Sequence, residues 1–216
     1  KHKFLYPRAA SSLYHTTKVL DTDLIWFYVR TYGLRVTDLM QGPVYGIFTN
    51  ETRRDVRLFP NFNYDDIFGT VLNRFIVQAV AGIPLTVYGK GNQVRGYLNL
   101  VDTLRCVELS ANTIPENGEL KIYNQFTETF TVNKLAEMVK SSAQTLGLQV
   151  DIKCVQNPRK EMEDHYYNPK STKLKSLGLE PTLLTQEVIV DLLGSVINKK
   201  DDINISSILP RVSWSK

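Results

Sequence analysis

Helical and extended patterns alternate along nearly the whole chain, each closed by a glycine or a turn, and this alternation restricts the fold more than any other feature. A densely apolar stretch from about Ser12 to Tyr32 stops at Gly33 and reads as a long, largely buried helix. Leu34 to Met40 then reads as a strand, followed by the turn-rich Gln41-Gly42-Pro43-Val44-Tyr45-Gly46. The polar stretch Asn50 to Asp66, with Pro60, reads as a long loop. A helix from Thr70 to Ala81 ends at Gly82, Leu85 to Tyr88 is a short strand, and Gly96 to Val101 is a further extended piece. Asp102 is read as the cap of a helix to Asn112, and Leu120 to Asn124 as a strand. Between Thr131 and Leu146 the apolar positions 132, 135, 136, 139 and 143 recur at helical spacing. A strand (Val150 to Val155) and helices at Ser171–Leu177 and Gln186–Asn198 complete an α/β pattern without internal repeats.

At 216 residues and 43% hydrophobic content the chain can bury one substantial core. Its longest apolar runs, such as Leu24 to Val29, fall well short of the roughly 18 residues a membrane span needs, so none is expected. The net charge of +4 is mild and spread out, so a nucleic-acid footprint is not the first reading and a small anionic ligand suits it equally well. Cys106 and Cys154 have no metal-ligand spacing and are read as buried thiols. With no cysteine pair and no His-x-x-x-His pattern, no metal site is expected. Lys1 to Leu5 shows no signal or transit pattern, which leaves location open if the chain begins mid-protein.

Alternation of this kind suits a Rossmann-type parallel sheet, whose ligands gather at the carboxyl ends of the strands. Such a sheet needs a Gly-x-Gly-x-x-Gly turn where backbone amides approach a pyrophosphate. The nearest match, Gly89-Lys90-Gly91, lies between short strands and lacks the third glycine. The chain is therefore read as the later portion of a larger protein, with the first half of the Rossmann domain outside it and the remaining sheet left with an exposed edge. Near its start, Tyr14 and Lys18 are four residues apart and project from one helix face. An ammonium beside a phenol favours the phenolate, which suits the tyrosine to exchange a proton with a substrate hydroxyl. With 11 tyrosines in the chain, a Tyr-x-x-x-Lys match arises by chance on the order of once, so the spacing alone is weak.

Longer motifs sharpen the reading. Tyr14-x-x-x-Lys18, Gln41-Gly42-Pro43-Val44-Tyr45-Gly46 and Leu85-Thr86-Val87-Tyr88-Gly89-Lys90-Gly91 to Arg95 occur in the order found in the extended short-chain dehydrogenase/reductase superfamily, which modifies nucleotide-activated sugars. Phe68-Gly69-Thr70, Asn73-Arg74-Phe75, Gln93-Val94-Arg95-Gly96-Tyr97, Tyr123 to Glu128, Asn157-Pro158-Arg159-Lys160-Glu161, His165 to Asn168 and Val212-Ser213-Trp214 most resemble its UDP-sulfoquinovose synthase branch. The resemblance covers nearly the whole chain. It implies residues 1–66 as the later part of an NAD-binding Rossmann domain with a lid-like loop at 47–66. Residues 67–216 would be mainly a nucleotide-sugar-binding domain, with some segments returning to the Rossmann sheet.

The resemblance implies NAD as cofactor, UDP-glucose as substrate, and sulfite, free or from a delivering protein, as the sulfur source. Tyr14 and Lys18 would be catalytic and touch the cofactor, and Lys18 would bond the nicotinamide ribose. Gln41 would line the junction of sugar and nicotinamide, or else serve a structural turn. Arg95 would grip the diphosphate, with a solvated arginine as the alternative. Arg159 and Glu161 would hold phosphate and ribose, with Glu163 a weaker candidate. Tyr88 and Gln93 fall in the nucleotide-binding stretch. Thr70 is either a ligand or a helix cap, and Arg74 a ligand or the partner of an acidic neighbour. His15 is the residue connected with sulfite, against a structural histidine; His165 could equally be a surface residue. A UDP-sugar 4-epimerase or dehydratase, and a noncatalytic binding relative, are the competing readings. A homodimer or higher oligomer is expected, in the cytoplasm or, in a photosynthetic eukaryote, the plastid stroma.

Overall fold

The computed structural model describes residue 10 and residues 13–157 and 168–208. In chain order these form α1 (Leu13–Tyr32), β1 (Val36–Gln41), β2 (Val44–Tyr45), α2 (Val71–Ala81), β3 (Leu85–Tyr88), β4 (Val94–Asn99), α3 (Leu100–Asn112), β5 (Leu120–Gln125), β6 (Glu128–Thr131), α4 (Val132–Thr145), β7 (Ile152–Val155), α5 (Thr172–Ser176) and α6 (Gln186–Ile197). The α/β class follows the sequence reading, and residues 50–66 form a loop broken only by a short 3-10 turn at Val56–Leu58.

Three small sheets carry the architecture. β1 and β5 run parallel with Val36 opposite Leu120 and Gln41 opposite Gln125, so the two strands end side by side. β4 is flanked by β2 in parallel and β6 in antiparallel orientation, while β3 and β7 form a parallel pair. Against the last pair packs a three-helix layer. Phe75, Ile76 and Val80 of α2, Leu135, Val139 and Ala143 of α4, and Ile189, Leu192 and Leu193 of α6 are buried together. Each large aliphatic or aromatic side chain there contributes about 1.5–3 kcal/mol by leaving water. α2 is capped at both ends: the Thr70 side chain accepts from Asn73 N, and Gly82 takes a left-handed conformation (φ 71°). Gln78, fully buried, uses both ends of its amide on Thr86, donating to Oγ1 and accepting from the backbone N, and so fixes α2 to β3.

Four readings are corrected. The helix α1 buries only Thr22 and Val29; Leu13, Leu20, Leu24, Phe27 and Tyr28 are exposed. Apolar residues occupy both its faces, and the two-stranded sheet beneath covers one of them. α3 starts at Leu100, not at Asp102, because the Asn99 side chain accepts from Val101 N and caps it. Cys154 is exposed, since β7 pairs with β3 on one side only, whereas Cys106 is buried. The short strand β2 falls where the sequence suggested only a turn, and β6 lies between the strand and helix read on either side of it.

One polar knot joins distant parts of the chain. Tyr45, 1% exposed, donates from its hydroxyl toward Glu128 Oε2 (2.9 Å) and the Thr182 carbonyl (3.0 Å). Leu184 N donates to the same Glu128 oxygen (2.8 Å), and Thr182 N donates to the carboxylate of the buried Asp102 (2.9 and 3.1 Å). Burial and the Glu128 charge push the Tyr45 phenol well up, so it remains a donor. Burial also raises the Asp102 carboxyl above the ordinary carboxylate range, against the lowering effect of the Thr182 N–H.

The sign of the resulting pH effect is set by that shift. A carboxyl whose folded pKa exceeds its unfolded value contributes stability that is complete below the unfolded value, about 4, and is lost as pH rises through the folded one. Asp102→Asn keeps an acceptor for Thr182 N without the buried charge. Its unfolding free energy, measured in urea, is expected to improve relative to the parent as pH is raised from about 4 to 8. A difference between the two proteins that stays constant with pH would contradict this.

Candidate active site

The residues singled out in the sequence fall into two groups at the carboxyl ends of strands. The first stands on α1. Its placement follows from one contact: Thr22 Oγ1 donates to Asp38 Oδ2 of β1 at 2.9 Å. Only residues 33–35 separate α1 from β1, so the two run antiparallel and the start of the helix points toward the end of the strand. Tyr14 lies eight residues before Thr22, about 12 Å up the helix at 1.5 Å per residue. Gln41 lies three residues beyond Asp38, about 10 Å along the strand. Tyr14 therefore stands level with Gln41 and the ends of β1 and β5.

Tyr14 and Lys18 share a helix face, as the spacing required, with the Lys18 ammonium 5.8 Å from the Tyr14 ring centroid. Both are exposed. Lys18 Nζ also donates to Asp21 Oδ2 at 2.6 Å, and that bond, followed by the Asp21 charge, pushes its pKa up, so the ammonium stays charged. His15 is also exposed, with its ring edge-on to Tyr14 at 5.5 Å. A fixed positive charge beside an accessible phenol at a strand's carboxyl end is an arrangement for moving a proton at a bound hydroxyl.

The second group surrounds the end of β3. The Arg74 guanidinium lies over the Tyr88 ring, 4.0 Å from its centroid, and donates from Nη2 to the Thr86 carbonyl at 2.9 Å. Gln93, 5% exposed, donates from Nε2 to the Tyr88 carbonyl at 3.3 Å. Among the described residues no donor reaches its buried Oε1. Such an acceptor costs free energy until a donor satisfies it. Arg95, half-buried on β4, donates from Nη1 to the Val94 carbonyl. Thr70 is engaged as the N-cap of α2, one turn before Arg74. Arg159, Glu161, Glu163 and His165 lie outside the described residues.

The two groups meet at a close backbone contact. A Cβ on Gly42, the residue after Gln41, would collide with the Gly96 carbonyl, the residue after Arg95. Gly42 N donates to the Gln125 carbonyl at the end of β5 (3.0 Å). Gln41 and Arg95 thus sit on either side of one contact, which explains the glycine in the Gln41–Gly46 motif by space rather than by torsion. The turn Gly89-Lys90-Gly91 is a structural one. Gly89 and Gly91 take φ of 63° and 72°, and Asn133 donates from its backbone to the Gly91 carbonyl and from its side chain to the Lys90 carbonyl. A groove between α4 and α6, lined by Lys134, Glu137, Met138 and Gln186, contains none of the candidate residues. Tyr45 and Glu128 stood inside the quoted motifs with no role, because a buried tyrosine and a strand glutamate carry no local signal.

Comparison with known proteins adds to this geometry. No protein-family model matches the chain. In sequence it is a relative of UDP-sulfoquinovose synthases. It is 49% identical to the chloroplastic enzyme of Spinacia oleracea over 98% of the chain and 44% of that protein, and 43% identical to the Sulfolobus acidocaldarius enzyme over 100% of the chain and 55% of that protein. The chain spans about half the length of these relatives. Its fold is similar to a UDP-glucose 4-epimerase of Thermus thermophilus solved with NAD (TM-score 0.65, 22% identity, 88% of the chain and 55% of that structure). It is equally similar to a dTDP-glucose 4,6-dehydratase of Streptomyces venezuelae solved with NAD (TM-score 0.66, 20% identity, 90% of the chain and 54% of that structure). The fold is thus that of the C-terminal part of Rossmann-type epimerases and dehydratases.

Gly42→Ala is expected to destabilise the protein by about 1–3 kcal/mol, the usual cost of forcing a methyl into packed surroundings. A urea midpoint unchanged from the parent would show that the Gly42–Gly96 contact yields without cost.

Proposed function

We propose that this chain, related over its whole length to UDP-sulfoquinovose synthases, carries the proton-transfer and nucleotide-sugar-gripping residues of an NAD-dependent enzyme that joins sulfite to UDP-glucose. A preceding segment of the same protein supplies the glycine-rich pyrophosphate turn. The observation that carries the reading is the charged Lys18 beside an accessible Tyr14, on the helix that Thr22 bonds to Asp38 of β1.

The residues suit a bound dinucleotide. Lys18 has an ammonium with three donors, of which Asp21 takes one, leaving donors for ribose hydroxyls. When bound, NAD supplies the reversible two-electron oxidation of the sugar at C4. Tyr14, as phenolate, takes the proton of the 4-hydroxyl while C4 is oxidised to a ketone. That ketone acidifies C5–H, and water leaves across C5 and C6. Sulfite then adds through sulfur to C6, C5 regains a proton, and Tyr14 returns its proton to the 4-oxygen as C4 is reduced. His15, whose ring lies edge-on to Tyr14, is the side chain assigned here to the sulfite anion.

Arg74 and Arg95 grip the diphosphate with guanidinium groups. Tyr88 presents a ring to the nucleotide, and the buried Gln93 Oε1 takes a donor from it. Arg159 and Glu161 are assigned to the same grip, as is Thr70, whose side-chain oxygen also caps α2 and whose hydroxyl proton remains to donate. UDP-sugar 4-epimerase or dehydratase chemistry would use the same tyrosine and grip without sulfite. The 43–49% identity to the synthases, against relatives at 29% or below named as UDP-glucuronic acid decarboxylases, favours the synthase. The plastid or cytoplasm is the corresponding location, and no described helix is long and apolar enough to cross a membrane.

Mass spectrometry of the full-length protein incubated with NAD, UDP-glucose and sulfite is expected to show a sulfonated sugar nucleotide. Tyr14→Phe is expected to lower its formation by about 10²–10⁴-fold, the range of a lost general acid–base. Unchanged hexose mass with altered stereochemistry would favour the epimerase, and full activity of Tyr14→Phe would remove the tyrosine from the mechanism.

A further inference from the structure

We infer that Tyr45 and Glu128 are positioning residues for the reaction, forming a latch that holds the proton-transfer group in place against the nucleotide grip. The inference rests on the proposed function and adds two residues to which that reading gives no part.

The Gln41–Gly46 loop has few backbone hydrogen bonds. β2 is two residues long and, among the described residues, pairs only with Leu98 and Asn99 of β4, which gives it a minimal ladder. Backbone bonds at its approach are Gly42 N to the Gln125 carbonyl and Leu98 N to the Pro43 carbonyl, the latter at 3.2 Å. A two-residue strand of this kind does not hold a loop against thermal motion by its ladder alone. The Tyr45 side chain supplies the missing restraint. Its ring is buried, and its hydroxyl reaches Glu128 Oε2 on β6 and the Thr182 carbonyl in the segment before α6.

Glu128 is the centre of the latch, because its Oε2 accepts from both the Tyr45 hydroxyl and Leu184 N. Through it, a loop leaving β1 is tied to the lead-in of α6, and α6 packs on α2 and α4 in the main core. Tyr14, Lys18 and Gln41 stand with β1. Arg74, Tyr88 and Gln93 stand on α2, β3 and the turn before β4, the other side of that tie. The latch therefore restrains one group relative to the other without touching ligand at either. A misplacement of the order of 1 Å between reacting groups can cost roughly 10²-fold in rate.

A purely structural role predicts loss of stability alone; a positioning role predicts a split between turnover and binding. In the full-length protein, Tyr45→Phe is expected to lower kcat for sulfosugar formation at least tenfold while UDP affinity, measured by calorimetry, changes less than twofold. Glu128→Gln keeps an oxygen acceptor for both donors and is expected to stay within threefold of the parent kcat, whereas Glu128→Ala, which leaves the phenol in place, follows Tyr45→Phe. Val139→Ala, a core truncation in α4, is the control for stability loss and is expected to keep its kcat. Hydrogen exchange gives a readout independent of activity: Tyr45→Phe should speed exchange at the amides of Gly42 and Leu184 together, with those of α2 unchanged. Parental kcat in both Tyr45→Phe and Glu128→Ala, or equal kcat losses in Val139→Ala and Tyr45→Phe, would overturn the inference. So would unchanged exchange at Gly42. A parent protein that makes no sulfonated product defeats the proposed function instead, and the exchange measurement then decides the latch by itself.

Discussion

A buried hydroxyl shared between a carboxylate and a carbonyl organises much of this molecule. Tyr45 sits at the end of a two-residue strand, yet its hydroxyl spans from β6 to the segment before α6. Interior polar groups demand partners, since an unsatisfied one costs about 1–3 kcal/mol. The knot meets that demand by making each partner serve twice: Glu128 takes two donors, and Thr182 gives its N–H to Asp102 while its carbonyl receives Tyr45. Because these partners lie 56 to 137 positions apart in sequence, satisfying them requires the sheets to be in their native relation.

That requirement bears on chemistry. Tyr14 and Lys18 are carried by a helix resting on β1, and Arg74, Tyr88 and Gln93 by elements of the main core. In the proposed function, neither group acts on a nucleotide sugar alone. Their relation is set where Gly42 meets Gly96 and where Tyr45 is tied down, two contacts within four residues of Gln41. The exposed outer side of α1, by contrast, has no packing to set it among the described residues.

The elements with strong periodicity were legible. α2 and α4 appear where the glycine end and the apolar spacing placed them, because their signals are local; the structure adds a threonine cap to each. The Tyr14–Lys18 pair was legible for the same reason. α1 misled because the same periodicity describes a helix buried all round and one covered on a single face. Asp102 misled because acidic residues favour helix starts in general, while here Asn99 reached Val101 N first and left the aspartate to face Thr182. Cys154 misled because hydrophobic character does not reveal whether a strand has a neighbour on each side.

The amino-acid order by itself determined the α/β alternation, the ends of α1 and α2 marked by Gly33 and Gly82, and the placing of a phenol and an ammonium on one face. Each is a relation between residues within about one turn, where backbone geometry leaves little choice. Tertiary structure alone decided that Arg74 stacks on Tyr88, that Gln93 hides an acceptor beside the end of β3, and that Tyr45, Glu128 and Asp102 close around Thr182 and Leu184. These depend on which distant segments the core brings together, and no local pattern records a partner eighty residues away.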